Sequence, residues 1–253
     1  MYDRPEAYDI VFDIDTEAEC DFLEAIHRRH GGSSGRRVLE PACGTGRLLR
    51  ALTRRGWETT GFDHSEGMLG YARETNRSLA EPIHLEKARF DAFAFEGRFD
   101  LAHCLISSIQ HVKSEEEAAG HLRLMADHLE SGGLYVLALH LVDRPELIVE
   151  SETFHAERDG VSVTCVLGGE EPDPVNRRQR IHARLHVEKA DGARQRHESS
   201  WWFRTWTLEQ FMSLLAGEPR FELVALHDYG LDPDLHYELE DDLVDLIVVL
   251  RRR

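Results

Sequence analysis

The sequence predicts an α/β protein: a doubly wound, seven-stranded, mostly parallel sheet with an antiparallel β insertion after the fifth strand. Three observations predict it. Short apolar runs alternate with segments of helical period from residue 16 to residue 141. The stretch RRVLEPACGTGRLLRAL, residues 36–52, reads as a buried strand, a glycine-bearing turn and a helix. Residues 142–206 instead alternate polar and apolar side chains and turn at Asp159-Gly160 and Asp191-Gly192, the signature of antiparallel hairpins. A chain of 253 residues accommodates one such domain with its insertion, 142–206, inside it.

The turn after the first strand points to a nucleotide-like ligand. Gly44 and Gly46 let backbone amides approach it, and the following helix aims unpaired N–H groups at the same place. A dinucleotide site would carry a third glycine where Leu49 stands. Glu40 ends the strand, and its charge would repel a pyrophosphate but suits an ammonium and a sulfonium. These residues favour S-adenosylmethionine over NAD. VLEPACGTG also resembles motif I of the class I S-adenosylmethionine-dependent methyltransferases, of which the small-molecule type is the nearest in pattern. The resemblance implies a Rossmann-like fold, and it places Glu40, Ala42, Cys43, Gly44 and Gly46 against the cofactor. Ala42 stands where the first glycine of the motif is usual.

The remaining elements follow in order. Thr16 and Glu19 have capping-box spacing and start a helix over residues 16–30, which GGSSG ends. In the resembled family an aromatic near this segment lies close to the transferred methyl; Tyr8 is the candidate, although Tyr8 and Phe12 could equally pack the helix onto the sheet. The second strand ends in Asp63, 17 residues after Gly46, near the spacing at which an acid accepts from ribose hydroxyls. His64 and Met68 follow where the resemblance puts adenine contacts. In the third strand region Arg89 stands where an adenine-binding acid is usual. Either the backbone of Arg89 and Phe90 recognises adenine, or Asp91 reaches in from a displaced loop.

RFDLAHCLISSIQHV resembles motif IV, where the fourth strand ends beside the methyl group, and Cys104 in this stretch is counted with the cofactor residues. The absence of (N/D/S)PP(Y/F) and of Pro-Cys argues against methylation of adenine or glutamine amides and of cytosine carbon. His111 is the strong proton acceptor of the segment, with an ordinary pKa near working pH; it could instead only fix a loop. Ser114 and Glu117 cap the next helix, with Gly132 and Gly133 expected to end it. LYVLALHL is the buried fifth strand, whose His140 would face the acceptor. Two hairpins then supply Trp201, Trp202, Phe203 and Trp206, as core or as pocket, and Arg177, Arg178 and Arg180 read as a solvated basic loop. Thr207 and Gln210 cap a helix before FELVALHDY and LVDLIVVLRRR, the last two strands. In the resembled family the seventh strand inserts antiparallel between the fifth and sixth.

Composition narrows the partners. With 47 acidic against 30 basic residues the chain carries a formal charge of −17, a poor match for a phosphate backbone. A small-molecule acceptor is expected, with no nucleic acid or membrane partner, for a cytoplasmic monomer or homodimer. Four scattered cysteines show no metal-ligand spacing, so no metal is expected and the thiols should be reduced. The leading function is transfer of a methyl group to a nitrogen or oxygen of a small molecule. The alternative is an S-adenosylmethionine-binding regulatory or sensor protein without turnover; Leu49 disfavours an oxidoreductase.

Overall fold

Seven strands make the main sheet, in the order β3-β2-β1-β4-β5-β11-β10. They are β1 (Arg37–Pro41), β2 (Glu58–Asp63), β3 (His84–Lys87), β4 (Phe99–Cys104), β5 (Leu129–His140), β10 (Phe221–His227) and β11 (Asp245–Arg252). The first five run parallel, and β11 lies antiparallel to both β5 and β10. This is the arrangement implied by the resemblance. The computed structural model describes residues 1–144, 151–239, 241 and 243–253. Part of the predicted insertion, residues 145–150, lies outside the described residues.

Helices cover both faces because the central strands are apolar on both. On one face Leu39, Ala102, Tyr135 and Leu137 pack with α5 (Glu115–His128) and α6 (Leu208–Ala216). On the other, Val38, Leu101, Val136 and Ala138 meet Phe22 and Leu23 of α2 (Thr16–His30) and Leu48 and Leu52 of α3 (Arg47–Arg54). Gly61 explains how α3 sits close without a third loop glycine. A Cβ there would stand 2.4 Å from Leu49 Cδ1 and 2.9 Å from Cys43 Cβ, so β2 supplies the room that the loop does not. After β2, α4 (Glu66–Thr75) starts at Ser65, whose hydroxyl accepts from the Met68 amide.

The inserted strands β6 (Ser151–Arg158), β7 (Val161–Gly169), β8 (Arg178–Glu188) and β9 (Arg194–Arg204) are one continuous antiparallel sheet, not two separate hairpins. The joining pair is β7 with β8, in register from Ser162 opposite Glu188 to Gly169 opposite Ile181. Val163, Cys165, Ala183 and Leu185 point to one face, and α1 (Pro5–Phe12) covers it with Ala7, Ile10 and Val11. Tyr8 and Phe12 therefore pack toward the inserted sheet, not the main one. All four cysteines are buried and free.

Two expected helix ends are corrected. Thr16 forms no capping box: its hydroxyl donates to Asp13, and Glu19 turns inward to bind Arg47. The helix before β5 stops at His128, and Leu129 already belongs to the strand. Gly132 serves a different purpose, since its Cβ would stand 2.8 Å from Gly32 Cα; the absence of both side chains lets the two backbones touch. Elsewhere the readings hold: Thr207 and Gln210 form a complete capping box on α6.

Candidate active site

The loop after β1 alternates its backbone. Ala42, Gly44 and Gly46 have φ of +53°, +53° and +68°, which folds the loop back on itself: the Gly44 amide donates to Asp63 and the Gly46 amide to the Cys43 carbonyl. Ala42 takes this conformation despite its Cβ, which is how the motif survives without its first glycine. Cys43 is pinned by its amide to the Phe62 carbonyl at 2.9 Å, and its thiol is buried. The loop lies beyond the carboxyl ends of β1 and β4, where strand order reverses and open α/β sheets bind ligands.

Asp63 is tied to that loop. Its Oδ2 accepts from the Gly44 amide at 2.9 Å and its Oδ1 from the Ser65 amide at 2.8 Å. The carboxylate therefore serves the backbone, and it has lone pairs left to accept from ligand hydroxyls. Glu40 is 8% exposed, and its Oε2 has no hydrogen-bond partner. Burial pushes its carboxyl up to about 8, with Arg47 opposing and Glu19 and Asp63 adding. Arg47 itself is held in a buried pair by both Glu19 oxygens. His103 on β4, wholly buried with both ring nitrogens unpartnered, is a second orphan in the sheet; burial lowers it to about 3, so it is neutral. An unsatisfied buried acid beside a glycine turn is what a cationic ligand would satisfy. The residues present fit S-adenosylmethionine: Glu40, with an unpartnered oxygen, for its ammonium, and Asp63, whose oxygens keep lone pairs, for its ribose.

The other cofactor candidates are placed unevenly. Tyr8 Cε1 is 3.8 Å from where a Gly44 Cβ would be, so its ring lies over the turn. His64 is open to solvent, 3.5 Å from Asp63 Oδ1, and Met68 is buried. Asp91 is gripped by Arg89 through two 2.8 Å hydrogen bonds. Phe90 stacks on His121 at 3.6 Å, and its carbonyl accepts from His121 Nδ1 at 2.8 Å. Burial pushes the Cys104 thiol up to about 12, so it stays protonated.

Beyond β4 the structure assembles polar pairs from distant segments. His111 Nε2 and the Tyr2 hydroxyl are hydrogen-bonded at 3.0 Å, with Trp201 and Phe203 beside the ring. This crowding, through desolvation and the charge of His64, holds His111 below its ordinary value, not near working pH as its residue type suggests. His140 Nδ1 donates to Asp245 Oδ1 at 2.6 Å, leaving Nε2 as acceptor. Gln110, buried, accepts from the His140 amide at 3.0 Å and holds the end of β5. Ser107, with φ of +47°, shares a 2.7 Å hydrogen bond with the Tyr229 hydroxyl. Sequence reading missed Tyr2, Gln110, Tyr229 and Asp245. Only their neighbourhood in space marks them.

The aromatic run divides. Trp206 is wholly buried in the core, Trp202 is 44% exposed beneath Arg178 and Arg180, and only Trp201 and Phe203 stand beside His111. Arg177 is not a solvated loop residue: it pairs with Glu115 at 2.6 Å and lies over Trp206. Among the described residues no group of His, Cys, Asp and Glu could hold a metal ion, and no helix is long and apolar enough to cross a membrane.

Residues 38–133 match the family described as "Methyltransferase domain". Residues 38–133 thus carry a methyltransferase domain of the class I S-adenosylmethionine-dependent type. S-adenosylmethionine is the cofactor that such a domain implies. The methyltransferase is 30% identical to a dTDP-3-amino-3,4,6-trideoxy-alpha-D-glucopyranose N,N-dimethyltransferase of Streptomyces venezuelae, over 53% of this chain and 56% of that protein. It spans about half the length of most of the curated relatives it matches first. A sugar N-methyltransferase from Streptoalloteichus sp. superposes with a TM-score of 0.70 at 25% identity, covering 95% of this chain and 89% of that one. An S-adenosylmethionine-dependent methyltransferase from Clostridium acetobutylicum gives a TM-score of 0.76 at 16% identity, over 95% and 93%, and shares the fold.

Proposed function

We infer that this methyltransferase transfers a methyl group to a nitrogen or oxygen of a small molecule, with an amine nitrogen as the better acceptor. The observation that carries the reading is the Tyr2–His111 pair. It sits beside Trp201 and Phe203 of the inserted sheet, at the carboxyl edge where the cofactor loop lies. S-adenosylmethionine supplies a methyl on a sulfonium, a good leaving group that needs alignment more than covalent help. The chain's share is then positional. Tyr8 covers the turn, Trp201 and Phe203 offer apolar walls, and the inserted sheet, β6 to β9, flanks the acceptor side.

The pairing of His111 with a phenol and its lowered basicity favour a nucleophile that attacks before it loses a proton. A neutral amine does; an alcohol must give its proton to a stronger base as it attacks. His140, oriented by Asp245, is the second group that could take up the proton. The Streptomyces and Streptoalloteichus relatives are by name sugar N-methyltransferases, which agrees with an amine. The test is turnover with labelled S-adenosylmethionine against a panel of amines, amino sugars, phenols and carboxylates. Label transfer to an amine is expected. Tight S-adenosylhomocysteine binding with no transfer to any acceptor would make the chain a binding or sensor protein instead.

A further inference from the structure

One carboxylate ties the N-terminal helix to both halves of the molecule. Asp9, on α1, is 1% exposed. From α3, Arg50 Nη2 donates to both its oxygens, at 2.9 and 3.1 Å. From the end of β6, Arg158 Nη2 donates to Oδ2 at 2.7 Å, and the Tyr71 hydroxyl of α4 reaches the same oxygen at 3.5 Å. Arg50 extends the network through Nη1, which lies 3.2 Å from Thr75 Oγ1 and 3.4 Å from the Thr45 carbonyl in the glycine turn. Burial alone would raise the carboxyl, but Arg50 and Arg158 outweigh it and keep Asp9 ionised. Without that charge, Arg50 would lose its carboxylate partner and Arg158 would keep only the more exposed Asp13, 3.5 Å from its Nη1.

The same short segment holds a group for each substrate. Tyr8, adjacent to Asp9, lies over the Gly44 turn, and Tyr2, just before the helix, meets His111. We propose that Asp9 is a positioning residue: by clasping Arg50 and Arg158 together it couples the inserted sheet to the cofactor loop, so that each site is formed only when the other is. The clasp goes beyond the proposed reaction and rests on the cofactor assignment alone. A purely structural ion pair would lower the melting temperature and leave ligand affinity well below it unchanged.

The test is calorimetric titration of S-adenosylhomocysteine into Arg158→Gln, Arg158→Lys, Asp9→Asn and the Asp9→Asn/Arg158→Gln double variant, far below each melting temperature. Arg158 lies on the inserted sheet, and no part of the cofactor loop touches it directly. Arg158→Gln should nevertheless weaken binding by roughly 2- to 30-fold, the span of measured coupling effects. Arg158→Lys, which keeps the charge, should recover part of that loss. The double variant should bind no more weakly than Asp9→Asn alone, because both changes open one clasp. Unchanged affinity in Arg158→Gln, or losses that simply multiply in the double variant, would overturn the proposal. If Asp9→Asn does not fold, the Arg158→Gln and Arg158→Lys affinities decide by themselves. Binding by the unsubstituted chain tests the cofactor assignment; only differences between variants test the clasp.

Discussion

Glu40, Asp63 and His111 respond to change in different ways, because each is held by a different environment. Glu40 is a buried acid whose folded value, about 8, lies above its ordinary 4.5. Without ligand it is therefore neutral at pH 7, and it lowers fold stability progressively as pH rises from 4.5 to about 8. An ammonium-bearing ligand favours the carboxylate, so binding below pH 8 must release a proton. S-adenosylhomocysteine affinity should climb with pH, by at most about tenfold per unit, and level off above 8; calorimetry from pH 6 to 9 shows this, and Glu40→Gln should flatten the curve. Asp63→Ala should weaken the same ligand by about 1.5 to 3 kcal/mol. It should also lower the melting temperature, because the Gly44 and Ser65 amides lose their acceptor. His111→Ala should change kcat little for amines, because so weak a base adds little to attack by a free amine; a loss of about 100-fold or more would show that the ring takes the acceptor's proton.

At the scale of elements, local chemistry sets the boundaries that were foreseen. Ser65 and Thr207 cap α4 and α6 because a hydroxyl two or three residues before a free amide needs no distant partner. Thr207→Ala should therefore cost about 1 kcal/mol, seen as a fall of roughly 2 to 4 °C in melting temperature. The same spacing misled at Thr16, where a tertiary demand won: Glu19 neutralises the buried Arg47 instead of capping its own helix. The Gly132-Gly133 pair likewise resembles a helix stop, yet Gly132 is needed by Gly32, a hundred residues earlier in the chain. The Asp-Gly turns gave the hairpins correctly, but the β7–β8 pairing that fuses them turns at Pro172-Asp173-Pro174-Val175-Asn176, where the Asp173 carboxylate accepts from the Val175 and Asn176 amides.

For the whole molecule, the joint between the two sheets is a buried one. Leu141, just past β5, bridges to Trp206, just past β9, and the Trp206 ring is wholly buried against Phe211. Trp206→Ala should destabilise by about 3 to 5 kcal/mol, measured by denaturant unfolding, and should loosen the inserted sheet first. Charge acts at this scale too. Acids exceed bases overall, yet the buried arginines Arg47 and Arg50 each find an acid, so the excess is carried largely by the surface.

The sequence by itself determined what depends on neighbours along the chain. The β1 strand, its glycine turn and α3 follow from apolar runs and backbone sterics, Asp63 from the length of one strand–helix–strand unit, and the family from the residues packed into that short stretch. The tertiary structure alone decided the acceptor side. Tyr2 meets His111, Asp245 orients His140, Tyr229 binds Ser107, and Asp9 joins Arg50 to Arg158, each across a long separation in sequence. Such pairs leave no period or spacing to read, because hydrogen bonds and charges choose partners by position in space, and that position exists only once both sheets and α1 have packed.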